Sequence, residues 1–206
     1  TISSLIEPIL HNKKLNIKLN TVVTKLIIEN KKAIGVETVS NGRYEKIFGK
    51  EIILTAGALV TPKILMHSGV GEEKLLKNFD IKVEENLIGV GRNLQDHHEV
   101  PFVARAKSGF GYFKQNKGFR MIRNGIQYLL FKSGPVTSNG VDCCSFLNPE
   151  NLQDQNDPKI KLYCVQIMYT DRDTKGIKPD HGVTLTSCIM NPKSRGDVKI
   201  KSSNPL

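Results

Sequence analysis

The chain has 206 residues, of which 39% are hydrophobic and 24% are charged, and it is long enough for one large domain or two small ones. This composition excludes a disordered or fibrous protein, and no apolar run approaches the roughly 18 residues of a membrane span. The net charge of +10 is concentrated in residues 100–206, which hold 16 Lys and Arg against 8 Asp and Glu. These cations are scattered and not interleaved with aromatic residues, so they favour a solvated surface over a nucleic-acid-binding one.

The first fifty residues predict a helix followed by antiparallel strands. Apolar residues between Ile2 and Leu10 share one helical face. Four strands are predicted, at residues 15–19, 21–29, 33–40 and 43–48. Asn41-Gly42 predicts a tight hairpin turn, because both positions tolerate a positive φ. We therefore expect a small antiparallel meander.

The next stretch has the pattern of a strand, a tight turn and a short helix. Residues 51–54 favour a buried strand, and residues 55–58 (Thr-Ala-Gly-Ala) provide only small side chains, so a bulky group could lie against that backbone. Thr61 is suited to the helix N-cap, Pro62 to the first helical position and Gly69 to the C-cap. The predicted helix is about two turns long.

Residues 100–206 predict a mostly antiparallel sheet with one helix. Near-helical spacing over residues 119–131 ends at Ser133-Gly134-Pro135, which is a firm stop. Strands are predicted at residues 101–106, 143–147, 161–169 and 182–190. The Asn- and Asp-rich segment 148–158 is expected to be a surface loop.

The four cysteines include no Cys-x-x-Cys pair and no His at the spacing of a metal ligand. They are Cys143, Cys144, Cys164 and Cys188. Adjacent cysteines in a strand-like run point to opposite faces, so we expect buried free thiols and neither a disulfide nor a metal site. The cysteines do not decide between an oxidising and a reducing compartment.

Two segments resemble the signatures of the glucose-methanol-choline (GMC) flavoprotein oxidoreductases. Residues 57–71, GALVTPKILMHSGVG, resemble the second signature of that family. Residues 89–97, GVGRNLQDH, resemble the Gly-x-Gly-x-Asn-Leu-x-Asp-His segment that follows it. The segments GPVTSNGVD and SRGDVKIKSSNP are similar to later elements of the family, and their wording looks closest to its arthropod glucose dehydrogenase-like branch.

The resemblance implies an α/β fold, with part of a doubly wound FAD-binding domain at residues 1–99 joined to part of an antiparallel-sheet substrate-binding domain at residues 100–206. It implies an FAD-dependent oxidoreductase that oxidises the CH–OH group of an alcohol or sugar by hydride transfer to the flavin. The electron acceptor, quinone or oxygen, is left open. Localisation is also left open, although the resemblance suggests a secreted protein.

The resemblance and the small-residue turn together give six candidate cofactor-binding residues. They are Val23, Thr55, Ala56, Gly57, Asn93 and His97. The resemblance places an adenine-contacting backbone at Val23, and an ordinary core strand residue is the alternative. The turn 55–57 is expected to lie along FAD, and a close-packed turn without ligand is the alternative. Asn93 and His97 are expected to hydrogen-bond the ribityl or pyrophosphate groups, and a cap with a solvated histidine is the alternative.

Two functional parts of the family pattern do not occur in the sequence. There is no Gly-x-Gly-x-x-Gly turn to seat a pyrophosphate, and no counterpart of the family's C-terminal His with its His or Asn partner. His97 and His98 belong to a different motif, so no catalytic residue and no metal ligand is named. The chain opens with Thr1 inside a helix-like segment, so we expect an internal fragment that is inactive by itself. A truncated product without cofactor and a basic nucleic-acid-binding domain are the alternative hypotheses.

Overall fold

The structure is a computed structural model that describes residues 2–151, 153, 156–168, 178 and 180–206. The chain forms two compact units. The first contains Thr1–Leu94 and Arg195–Leu206, and the second contains Gln95–Ser194. Within the described residues, no helix combines the length and apolar character needed to span a membrane.

The first unit begins with a π-helical turn, Ile2–Ile6, and a 3₁₀ turn, Glu7–Ile9, in place of the predicted regular helix. Three antiparallel strands follow in the spatial order β1-β2-β3. They are β1 (Val22–Glu29), β2 (Lys32–Ser40) and β3 (Arg43–Phe48), which confirms three of the four predicted strands. The hairpin prediction is confirmed as well, because Asn41 and Gly42 have φ values of 50° and 75°.

The strand predicted at residues 15–19 is wrong. This segment has no strand assignment, and Ile17 and Leu19 are exposed. Its link to the meander is an ion pair between the side chains of Lys18 and Glu45, 2.6 Å apart, without a backbone ladder. Alternation of apolar and polar residues does not make a strand unless a neighbouring strand offers hydrogen-bond partners.

Residues 51–54 have no strand assignment and pair with no strand in the described part of the chain, and Ile53 is 75% exposed. The predicted buried strand is therefore wrong. Helix α1 (Gly57–His67) begins before the predicted N-cap, with Pro62 inside it. The predicted C-terminal end is confirmed, because Ser68 is the C-cap residue and Gly69 has a φ of 84°.

Short elements complete the first unit. They are β4 (Val70–Gly71), α2 (Glu73–Lys77), β5 (Glu85–Asn86), β6 (Arg92–Leu94) and, near the C-terminus, β11 (Gly196–Asp197). β4 pairs in parallel with β5, and β6 pairs antiparallel with β11. Met66, Leu76 and Ile200 form the buried apolar cluster of this unit, so the C-terminal segment contributes to the same core as α1 and α2.

The described residues of the second unit form an antiparallel four-stranded sheet with one α-helix, as predicted. Its elements are β7 (Glu99–Arg105), α3 (Gly118–Phe131), β8 (Cys143–Leu147), β9 (Ile160–Val165) and β10 (Gly182–Ile189). The spatial order is β7-β10-β9-β8. The strand predicted over 161–169 ends at Val165, and Tyr169 lies outside the described residues.

All four cysteines are free, as predicted, but their expected burial is only partly correct. Cys188 is buried, whereas Cys143 and Cys144 are exposed. The difference follows from position in the sheet. Cys188 lies on β10, which has a neighbour on both sides, whereas the other two lie on β8, which is an edge strand.

Candidate functional site

The turn that precedes α1 is open to solvent. Thr55, Ala56 and Gly57 are all exposed. Gly57 has a φ of 84°, and a Cβ at this position would meet no atom within 4 Å. Ala56 gives no side-chain cap to α1, and the first helical turn contains no acidic residue. The first N–H groups of α1 are therefore available to an external acceptor, and the backbone can be approached closely.

Val23 lies on β1, which is an edge strand of the meander, and is half-buried. It is in register with Thr38 of β2, and a register shift between Val23 and Lys25 marks a β-bulge. Inside the bulge Thr24 is buried, and its hydroxyl donates to the Glu37 carbonyl oxygen at 3.1 Å. On an edge strand one row of backbone groups is not used by the neighbouring strand, and Ser68 accepts one such group of β1, the N–H of Leu26.

Asn93 is the bulged residue of β6. Leu94 pairs with Gly196 and Arg92 pairs with Asp197, which leaves Asn93 without an opposite residue. Its φ of 66° is left-handed, a conformation that Asn tolerates better than most residues. A bulge redirects a side chain, and the exposed Asn93 amide has no hydrogen-bond partner among the described residues. It can therefore bind a polar ligand.

The glycine that precedes this bulge has a structural role that the sequence did not reveal. A Cβ at Gly91 would overlap the carbonyl oxygen of Val198, and the N–H of Val198 donates to the Gly91 carbonyl oxygen at 2.7 Å. Gly91 thus allows the C-terminal segment to return beside β6. The glycine is visible in the sequence, but the residue that requires it, Val198, lies more than 100 positions later.

His97 lies in the second unit, whereas the other candidate residues lie in the first. Its Nδ1 is 2.8 Å from the Ile189 carbonyl oxygen. Because a carbonyl oxygen can only accept, Nδ1 carries the proton in this contact and Nε2 remains an acceptor in the neutral ring. The backbone N–H of His97 donates to the Asp96 carboxylate at 2.8 Å. These two contacts fix the ring's tautomer and the loop that carries it.

The first unit contains a cleft of about 620 Å³ that is separate from the candidate residues. It is lined by β1 residues from Thr24 to Ile28, by His67 and Ser68, and by residues that follow α1. Burial, with a smaller contribution from Lys63, lowers the pKa of His67. None of the six candidate residues lines this cleft. Five of them are exposed and Val23 is half-buried, so they are accessible to a ligand to different degrees.

The sequence identifies Ser68 only as part of a helix end, whereas the structure gives it a tertiary contact. Its hydroxyl is hydrogen-bonded on one side to α1 and on the other to β1. A Ser-Gly pair after a helix is the available signal, but it indicates a cap and not a contact with a distant strand. No group of three or more His, Cys, Asp and Glu side chains in the described ranges is placed to hold a metal ion.

Comparison with known proteins gives consistent matches for both units. Residues 1–99 match the family described as GMC oxidoreductase. The oxygen-dependent choline dehydrogenase of Brucella canis is 32% identical over 195 residues, which cover 94% of this chain and 35% of that protein. The oxygen-dependent choline dehydrogenase of Sinorhizobium medicae is 34% identical with the same coverage.

A solved structure gives the same result for the fold. A formate oxidase variant from Aspergillus oryzae RIB40, studied for FAD modification, has a TM-score of 0.79 and 27% identity, covering 90% of this chain and 37% of that chain. The chain spans about 35% of the length of the curated relatives it matches. Residues 1–99 thus belong to the GMC oxidoreductase family, and nearly the whole chain is similar in sequence to the choline dehydrogenases and in fold to the formate oxidase.

Proposed function

We propose that the chain is part of an FAD-dependent oxidoreductase that oxidises the CH–OH group of an alcohol or sugar. FAD, when bound, supplies the flavin that accepts the hydride. The family match supports the oxidoreductase class, and the FAD named for the formate oxidase structure supports the cofactor. The choline dehydrogenases support a hydroxyl-bearing substrate, because choline is itself an alcohol. Residues 1–99 serve as part of the FAD-binding domain and residues 100–206 as part of the substrate-binding domain.

The observation that carries this proposal is the exposed turn at Thr55–Gly57. A dinucleotide cofactor requires a backbone segment that it can approach closely, and the open space beside Gly57 meets that requirement. The uncapped N–H groups of α1 offer donors to a polar or anionic part of the cofactor. The residues present therefore fit FAD as a ligand.

Each candidate residue then has a distinct binding role. The backbone of Val23, on the edge strand β1, contacts the adenine ring. The Asn93 amide, directed outwards by its bulge, hydrogen-bonds the ribityl or pyrophosphate groups. His97 contributes a hydrogen bond with its tautomer fixed by the Ile189 carbonyl oxygen. We assign no catalytic base, and the electron acceptor is left open between a quinone and oxygen.

The flavin absorbance spectrum of the purified full-length gene product tests the proposal. We expect bound FAD whose absorbance is bleached anaerobically by an alcohol or a sugar. Choline, glucose and formate form a suitable first panel, with formate as the substrate that lacks a CH–OH group. A folded protein that contains no flavin and cannot be reconstituted with FAD would support the alternative, a product without cofactor, and refute the proposal.

A further inference from the structure

Ser68 joins the end of α1 to the edge of the meander. It is buried, with 8% of its surface exposed. Its hydroxyl donates to the Ile64 carbonyl oxygen at 2.6 Å and accepts the backbone N–H of Leu26 at 2.8 Å. Leu26 belongs to β1 and lies 42 positions earlier in the sequence. One side chain thus connects two elements that the chain separates widely.

The neighbours of Ser68 hold this hydroxyl in place. Gly69 has a φ of 84°, and a Cβ there would overlap the Lys82 carbonyl oxygen. The Gly69 carbonyl oxygen accepts the N–H of Glu84 at 2.9 Å, which fixes the chain just after the helix. On the other side, Ile64 is buried with 4% of its surface exposed. Ser68 can therefore not turn away from β1 without disturbing packed neighbours.

We infer that Ser68 is a positioning residue for the cofactor site, an inference that rests on the proposed function. β1 carries Val23, and α1 begins at Gly57, so the two elements carry two of the candidate FAD contacts. Among the described residues, the hydrogen bond from Leu26 to Ser68 is the one that joins β1 to α1 and its cap. α1 and β1 are otherwise close in space without a hydrogen bond between them in the described part of the chain, and such proximity does not define a register by itself.

Replacing Ser68 with Ala removes the directional contact and keeps the Cβ of the side chain. The helix retains its buried residues, so we expect a folded protein in which β1 and α1 are less firmly aligned. FAD then has to align the two elements as it binds, which lowers its affinity. We expect the dissociation constant for FAD to rise about fivefold to tenfold, in line with the loss of one buried hydrogen bond.

The matched control is Thr186→Val. Thr186 is also buried, with 4% of its surface exposed, but it lies on β10 in the second unit. Both substitutions remove one buried hydroxyl, and both should lower the melting temperature of the full-length apoprotein by about the same few degrees. FAD titration followed by flavin fluorescence then separates them, because only Ser68→Ala should weaken binding.

Hydrogen exchange of the apoprotein provides a readout that does not require flavin. Ser68→Ala should increase amide exchange in the segment 22–29, and Thr186→Val should leave that segment unchanged. If Ser68→Ala does not fold, Ser68→Cys, whose thiol is a weaker hydrogen-bonding group, should show intermediate changes in both measurements.

The inference is overturned if Ser68→Ala lowers the melting temperature as the control does but leaves both FAD affinity and exchange of residues 22–29 unchanged. Failure of the proposed function itself would give a different pattern of results. If the wild-type protein binds no FAD while Ser68→Ala still increases exchange in β1, the link between β1 and α1 stands, whereas its role in a cofactor site falls together with the proposed function.

Discussion

Substitution of Gly57 tests whether the open turn before α1 contacts FAD. The residue has a φ of 84°, so Ala at this position is strained by about 1–2 kcal/mol, and β-branched Val by more. A Cβ would meet no protein atom within 4 Å, so the structure offers no steric clash to add to this strain. If FAD lies along the turn, the added carbon occupies space that the cofactor uses. We expect Gly57→Ala to raise the dissociation constant for FAD about tenfold, which corresponds to about 1.4 kcal/mol.

Gly42→Ala is the matched control for this experiment. Gly42 has a φ of 75°, and its Cβ would also meet no atom within 4 Å, but it lies in the hairpin turn between β2 and β3. Denaturant unfolding of the full-length apoprotein should show a similar loss of stability for both variants. FAD titration should then distinguish them. If Gly57→Ala and Gly42→Ala both bind FAD as the wild type does, Gly57 does not line the cofactor site.

Three further predictions concern titration, thiol reactivity and the isolated chain. Burial lowers the pKa of His67 below its ordinary value of 6.5, so the unfolded state binds a proton more readily than the folded state. The free energy of unfolding should therefore decrease as the pH drops below 6.5. Urea unfolding curves should show a smaller decrease for His67→Gln. Burial raises the pKa of Cys188, so at pH 8 iodoacetamide should alkylate it more slowly than exposed Cys144, and equal rates by mass spectrometry would contradict this. The 206-residue chain purified by itself should show no saturable micromolar FAD binding by fluorescence titration; such binding by a monodisperse monomer would refute the expectation.

Local sequence signals predicted the parts of the fold that need few distant partners. The Asn41-Gly42 turn was correct because a positive φ at both positions is a property of those two residues. The end of α1 at Ser68 and Gly69 was correct for the same reason. The strands of the second unit were also predictable, because each has a β-rich run with clear turn or loop signals at its ends.

The wrong predictions concern features that depend on tertiary contacts. Residues 15–19 and 51–54 have strand-like composition, but neither segment pairs with a strand in the described part of the chain. The predicted start of α1 is too late: Thr61 and Pro62 are good starting residues, yet residues 57–60 (Gly-Ala-Leu-Val) before them already belong to the helix. The bulge at Asn93 could not be predicted, since it exists only through pairing with the distant β11.

Distant contacts also determine how firmly each part of the candidate site is held in place. The turn at Thr55–Gly57 follows a segment that pairs with no strand among the described residues, and Ile53 within it is exposed. Any backbone freedom that remains in a turn held on one side only by α1 is lost when a ligand binds, at a cost of up to roughly 1–2 kcal/mol for each residue. Asn93, by contrast, is held by pairing with β11, and Val23 is held by β2 and by the link through Ser68. Thus Asn93 and Val23 are preorganised, whereas the turn is the part of the site whose affinity for FAD depends most on what supports residues 52–55.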